Sequence, residues 1–238
     1  MSGIERGPRA SNRAQPPSRR TLTVAAALVV ANLAVFALIA EDLLDGGGLI
    51  SHDEAVSAWF VEHRTDALIS AAKVVSTIGS FTSLSILGAL LGIWLWRRGW
   101  HVALAAAPVV SLVLASLAST ASKALFDRER PPVVLHATTV TLAAFPSGHA
   151  TDAAAFFLAA SVTLAITIVE HRSTRVLLVA TGLFLAMLVG LSRLVLGVHW
   201  LSDVVAGWAL GSAVAIAVVV TLWYLSSRPQ DEQSAPVP

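Results

Sequence analysis

Cysteine is missing from all 238 residues, so the chain can form neither a disulfide nor a thiolate-ligated metal site. Charge is scarce as well: Asp, Glu, Lys and Arg make up 13% of the residues, against about 25% in a soluble domain. No Lys/Arg stripe alternates with aromatic residues and the formal net charge is only +1, which leaves nucleic-acid binding without support. No internal repeat is visible. What the chain has in quantity is apolar, at 55% of its residues. Apolar runs of about 20 residues, the length that crosses a ~30 Å hydrocarbon core, occur at 22–40, 74–96, 102–121, 150–169, 176–196 and 204–225. They predict an all-α fold: an integral membrane bundle of six transmembrane helices over residues 21–226, with no room for a separate soluble domain. Residues 1–20, rich in Arg, Pro and Ser, and residues 227–238 read as disordered tails.

Ser18-Arg19-Arg20-Thr21-Leu22 resembles a twin-arginine export signal, but the run behind it exceeds the usual core of about 7–15 apolar residues. An uncleaved first helix is expected instead. The basic residues then orient the bundle. With the N-terminus inside, Arg6, Arg9, Arg13, Arg19, Arg20, Arg97, Arg98, Arg172, Arg175 and Arg228 are cytoplasmic, ten of the sixteen. Arg64, Lys73, Lys123, Arg128, Arg130 and Arg193 are external. Both termini are thus expected in the cytoplasm, and the protein in a plasma or inner membrane. In the first external segment, Ser51 and Glu54 have capping-box spacing, and Val56, Trp59 and Phe60 share a face, which suggests a short surface helix over 51–64.

Three segments far apart in the chain reach the external face together: Lys123-x6-Arg130-Pro131, Pro146-Ser147-Gly148-His149, and Ser192-Arg193-x5-His199-x3-Asp203. His199 and Asp203 lie four apart at a helix start and share a face. A carboxylate accepting from His Nδ1–H leaves Nε2 as a nucleophile and stabilises positive charge on the ring. His149 opens the fourth helix, where free N–H groups and the helix dipole favour a phosphate, and Gly148 lets the backbone approach it. Lys123, Arg130 and Arg193 supply the cations that a phosphoryl transition state needs. A two-metal site would require several carboxylates. Glu41, Asp42, Asp45, Asp53, Glu54, Glu62 and Asp66 cluster in one external loop with no histidine arranged to ligate, so neither metal nor other cofactor is expected.

Taken singly, these signals are weaker. An arginine near a helix end, such as Arg193, commonly snorkels to the headgroups, and a lone helix-start histidine is commonly a cap. Ser-Arg-x5-His-x3-Asp is far more restrictive, and the convergence of all three segments at one face is the strong signal. Asp152 reads as an exposed helix-start acid and His136 as a loop residue with a possible part in substrate access. His52, His63, His101 and His171 read as interfacial or loop residues, and Asp127, Arg128 and Glu129 as a solvated or locally paired segment.

Segments 123–131, 146–149 and 192–203 resemble the three-part signature of the type 2 phosphatidic acid phosphatase superfamily, which includes membrane lipid phosphate phosphatases and the soluble vanadium-dependent haloperoxidases. The resemblance spans roughly residues 50–225, with every signature position present. It implies that His199 attacks phosphorus to form a phosphohistidine, with Asp203 orienting it and His149 protonating the leaving oxygen. Lys123, Arg130, Ser147, Gly148 and Arg193 would hold the phosphate until water releases it. The expected function is metal-free hydrolysis of a lipid phosphate or diphosphate, with phosphatidic acid, phosphatidylglycerol phosphate or undecaprenyl diphosphate as candidate substrates. The alternatives are a lipid phosphotransferase, or a non-catalytic lipid-phosphate binder or transporter.

Overall fold

The computed structural model describes residues 14–227. The expected tails therefore lie outside the described residues except for 14–20 and 227, as do Arg6, Arg9, Arg13 and Arg228. Among the described residues all regular structure is helical: α1 (Arg19–Asp45), α2 (Asp53–His63), α3 (Asp66–Ile78), α4 (Phe81–Arg97), α5 (Val102–Phe126), α6 (Gly148–Thr167), α7 (Arg172–Val195) and α8 (Leu201–Ser226). Single 3₁₀ turns lie at Ile50–His52 and Val133–Leu135. Helices α1, α5, α6, α7 and α8 are each long and apolar enough to cross a membrane, and the bent pair α3–α4 passes the same test when taken as one span. The all-α membrane bundle is borne out.

The helix expected over 74–96 is interrupted at 79–80. Helix α3 begins at Asp66, capped by the Thr65 hydroxyl accepting from Leu68 N–H, and the chain bends by 50° before α4. Gly79 and Ser80 form the break. Ser80 Oγ caps α4 by accepting from Ser83 N–H at 3.3 Å, and Gly79 lies so close to α7 that a Cβ there would fall 2.5 Å from Val189. A small residue and a cap thus replace one turn of helix. The first helix starts at Arg19, where Ser18 Oγ accepts from Thr21 N–H at 3.1 Å. Trp223 at the end of α8 donates to the Gln15 carbonyl at 2.8 Å.

Helix α6 is the centre of the bundle, packed against α5, α7 and α8, while α1 lies outside on α8. Association inside a bilayer gains little from hydrophobic transfer and depends on close packing, which small residues permit. A Cβ at Gly207 of α8 would meet the Ser147 carbonyl at 2.8 Å, and one at Gly211 would meet the Thr151 carbonyl at 2.2 Å. This close crossing brings the first turns of α6 and α8 together, and Ser147 N–H donates to the Asp203 carbonyl at 2.9 Å. Phe145, fully buried, packs against Phe36 of α1 and Phe126 of α5 and seats the turn before α6. Leu28, Val30 and Leu33 on α1, and Leu177, Phe184 and Met187 on α7, are exposed. On a soluble domain such a belt would be anomalous; on a membrane bundle it is the lipid-facing surface.

The helix expected at 51–64 is present as α2, but without the Ser51–Glu54 capping box. Ser51 Oγ donates to the Gly48 carbonyl at 2.8 Å, and a 3₁₀ turn leads into α2 with no side-chain cap. Helix α2 rests on α7 and α8, with Phe60 packed inward and Trp59 exposed.

Candidate active site

The ends of α5 and α7 and the starts of α6 and α8 meet at one end of the bundle. Lys123 is in the last turn of α5, Ser147 immediately precedes α6, and Arg193 is in the last turn of α7. Asp203 is in the first turn of α8. Gly197, at φ +68°, lets the chain turn sharply between α7 and α8, where the Leu135 carbonyl lies too close for any side chain. Arg64 donates to that carbonyl at 2.8 Å and to Val195 O at 3.3 Å, fixing the turn that carries His199. All eight residues singled out from the sequence gather here.

His199 has two neighbours that determine its tautomer. Arg130 Nη1 lies 3.1 Å from Nε2, and Asp203 Oδ2 lies 3.2 Å from Nδ1. A guanidinium can only donate and a carboxylate can only accept. Nε2 therefore holds the lone pair and Nδ1 the proton. Burial above all, then the cations Arg130, Arg193, Lys123 and Arg128, holds the His199 pKa well below the usual imidazole range. The ring is neutral at physiological pH, the state in which Nε2 is nucleophilic. Asp203, fully buried, also accepts the Trp200 N–H through Oδ2 at 2.9 Å, so the carboxylate that holds the imidazole caps α8 as well.

The cations divide into two groups. Lys123 Nζ donates to the carbonyls of Ala143 at 2.6 Å, Ala144 at 3.3 Å and Pro146 at 2.7 Å, one for each of its protons. Arg130 donates through Nε to Leu142 O at 2.6 Å and through Nη1 to Val198 O. Arg193 is different: it is only 4% exposed, its Nη1 reaches Ser76 Oγ of α3, and its Nε has no partner among the described residues. It does not snorkel, because α3 and α7 close over it. Ser147 Oγ is also buried and unpartnered. Buried donors without acceptors are uncommon in native proteins, and a phosphate oxygen would satisfy both. Gly148 faces the α5 side of the site, where a Cβ would sit in ordinary contact with Lys123 and Ser119 at 3.8 Å. Half-buried His149 follows, within electrostatic reach of Arg193, His199, Arg130 and Lys123. A cleft of about 870 Å³ lies beside the site in the segment between α5 and α6, lined by Arg128, Arg130, His136 and Thr138–Thr141, and meets the eight site residues at Arg130. His136 belongs to this mouth, with Nε2 at 2.8 Å from the Pro131 carbonyl.

Two expectations are overturned. Asp152 is buried rather than exposed, at 6%, because the α6 face it occupies is covered on all sides. Arg128 is not solvated: it bridges Asp53 at 2.7 Å and Asp203 at 2.6 Å. Asp53, read as a loop acid, is 2% exposed. The available signal was the two-residue step from Arg128 to Arg130, which puts both side chains on one side of an extended segment. Asp53 carried no signal of its own.

Fold and site together define a multi-pass membrane protein that gathers imidazoles and guanidiniums at one end of a helical bundle. The chain belongs to the PAP2 superfamily, whose profile matches residues 104–227. It is 28% identical over 191 residues to phosphatidylglycerophosphatase B of Bacillus subtilis, covering 76% of this chain and 88% of that one. It is 31% identical over 193 residues to decaprenylphosphoryl-5-phosphoribose phosphatase of Mycobacterium tuberculosis, covering 78% and 88%. Undecaprenyl-diphosphatase of Sulfolobus acidocaldarius is 34% identical over 116 residues, covering 47% and 52%. The fold matches the crystal structure of a transmembrane PAP2-type phosphatidylglycerolphosphate phosphatase from Bacillus subtilis, with a TM-score of 0.69 over 90% of this chain and 98% of that one, at 23% identity. The chain is thus a membrane-embedded hydrolase of phosphoric esters.

Proposed function

We propose that the protein removes phosphate from a membrane lipid phosphate or diphosphate through a phosphohistidine intermediate, with no metal or other cofactor, at the external face of a plasma or inner membrane. The observation that carries this reading is His199, neutral, with its Nε2 lone pair turned toward Arg130 and its Nδ1 proton on Asp203. Nε2 attacks phosphorus as the bond to the leaving oxygen breaks, and His149 donates a proton to that oxygen. Asp203 stabilises the imidazolium formed. Arg130 exchanges Nε2 for a phosphate oxygen, and Ser147 Oγ, the Gly148 N–H and Arg193 Nε take the others. Lys123 adds charge from the α5 side. Water then attacks phosphorus, His149 accepts its proton, and His199 is regenerated with release of inorganic phosphate.

The relatives act on phosphatidylglycerol phosphate and prenyl phosphates by name, which supports a lipid substrate whose headgroup enters the cleft while its tail stays in the bilayer. Phosphatidic acid, phosphatidylglycerol phosphate and undecaprenyl diphosphate are the candidates. The site lies at the opposite helix ends from Arg97, Arg98, Arg172 and Arg175, which supports an external position. Phosphate release from these three lipids by detergent-purified protein in EDTA tests the reading. His199→Ala should reduce release by about 10⁴-fold or more. Release that requires added divalent metal, or that survives in His199→Ala, sinks it.

A further inference from the structure

One cluster at the site has no part in the scheme above. Arg128 Nη1 donates to Asp203 Oδ1 at 2.6 Å and to Ser202 Oγ at 2.7 Å, while Nη2 donates to Asp53 Oδ2 at 2.7 Å. Asp53 Oδ1 accepts the Ser202 N–H at 2.9 Å, and Oδ2 also accepts from the Ser202 hydroxyl. The guanidinium lies 5.7 Å from the Trp200 ring centre. Asp53 comes from α2, Arg128 from the segment after α5, and Ser202 and Asp203 from α8. Three chain-distant pieces are therefore joined by buried, charge-assisted bonds, which are stronger than neutral ones.

We propose that Arg128 and Asp53 are positioning residues for His199, acting through Asp203. Arg128 occupies Oδ1 and so leaves Oδ2 as the only acceptor for the His199 ring, while Asp53 neutralises Arg128 and ties it to the start of α8. Removing Arg128 leaves Asp53 and Asp203 without their shared cation and frees the Asp203 carboxylate to rotate, whereas removing Asp53 leaves Arg128 on Asp203 but cuts its tie to α2. This inference rests on His199 being the nucleophile.

The pair also sets the charge felt by His199. The groups facing that ring are Asp203 from α8, Lys123 from α5, Arg193 from α7, His149 from α6, and Arg128 and Arg130 from the segment between α5 and α6, with Asp53 of α2 behind Arg128. Activity needs the neutral ring. Losing the Arg128 cation makes the ring easier to protonate and moves the acidic limb of the rate profile up; losing the Asp53 anion moves it down.

The test is the pH dependence of kcat for phosphate release from the best lipid substrate, measured for the wild type, Arg128→Gln, Arg128→Lys, Asp53→Asn and the double variant Arg128→Gln/Asp53→Asn, with thermal unfolding alongside. Arg128→Gln should lower kcat by roughly 10- to 100-fold with little change in KM, and move the acidic limb up by about one pH unit. Asp53→Asn should move it down, by less. Arg128→Lys, which keeps the charge, should restore the wild-type limb and part of kcat; with Asp53→Asn it carries the test if the glutamine variant does not fold. Variants that lose thermal stability but keep the wild-type limb and kcat overturn the proposal and leave the pair merely structural. If instead His199→Ala retains activity, the nucleophile assignment fails first and takes this inference with it.

Discussion

Lys123 and Arg193 face one site from opposite walls, in the last turns of α5 and α7, and their hydrogen bonding differs sharply. On the α5 wall every Lys123 proton is taken by a backbone carbonyl of residues 143–146, and Arg130 is held by Leu142, Val198 and His199. On the α7 wall Arg193 Nε is bare, and so is the nearby Ser147 hydroxyl at the start of α6. On the first wall Lys123 and Arg130 are already bonded to the 142–146 backbone and hold that loop in shape. The second is completed only by an acceptor from outside. A side chain of the first kind is coupled to folding, whereas one of the second kind is coupled mainly to catalysis.

Substitutions should separate the walls. Among the wall residues the largest effect is expected at Arg193→Met, with kcat/KM for phosphate release down by about 10³-fold and the unfolding midpoint unchanged or raised, since a buried, half-satisfied cation costs stability. A lowered midpoint would show that the α7 wall is structural too. His149→Ala should slow a phosphomonoester lipid by about 10²-fold or more, but a diphosphate lipid much less, because an alkoxide needs a proton to leave and phosphate does not. Equal losses on both substrates would remove His149 as the acid. Lys123→Met should destabilise the protein by about 2–4 kcal/mol in chemical unfolding, since three carbonyls lose a charged donor. An unchanged unfolding free energy would erase the distinction between the walls.

The smallest effect is in pH. His199 is held neutral by burial, while in the unfolded chain it titrates near its ordinary value of about 6.5. Below that pH the unfolded state binds a proton that the folded state refuses. Stability contributed by His199 is thus complete above pH ~6.5 and lost as pH falls toward the depressed folded value, at up to about 1.4 kcal/mol per unit. Comparing unfolding of the wild type with His199→Gln between pH 7 and 5 isolates this slope. Parallel profiles would mean that the ring takes up its proton in the fold as readily as in the unfolded chain.

Much of the molecule was legible beforehand, for a simple reason. A backbone in hydrocarbon must satisfy its own hydrogen bonds, so a run of apolar residues long enough to span reads as a helix with little ambiguity. The helical parity of six spans then brings residues 123–130, 147–149 and 193–203 to one end. Local sequence alone misleads at two places. Ser51 and Glu54 had the spacing of a capping box, but Ser51 bonds to Gly48 instead. Arg193 stood where an arginine would snorkel, but Ser76 of α3 and the close packing of α3 on α7 keep it inside.

The sequence by itself determined the membrane bundle and the eight residues that meet at its end, because hydropathy and motif spacing are local along the chain. Only the tertiary structure decided which of those residues are already partnered, that the second span bends at Gly79 and Ser80, and that Asp53 and Arg128 stand behind Asp203. The Asp53–Arg128–Asp203 contact joins side chains 75 residues apart on each side, and no local pattern encodes a contact whose two halves are chosen by the packing of the helices between them.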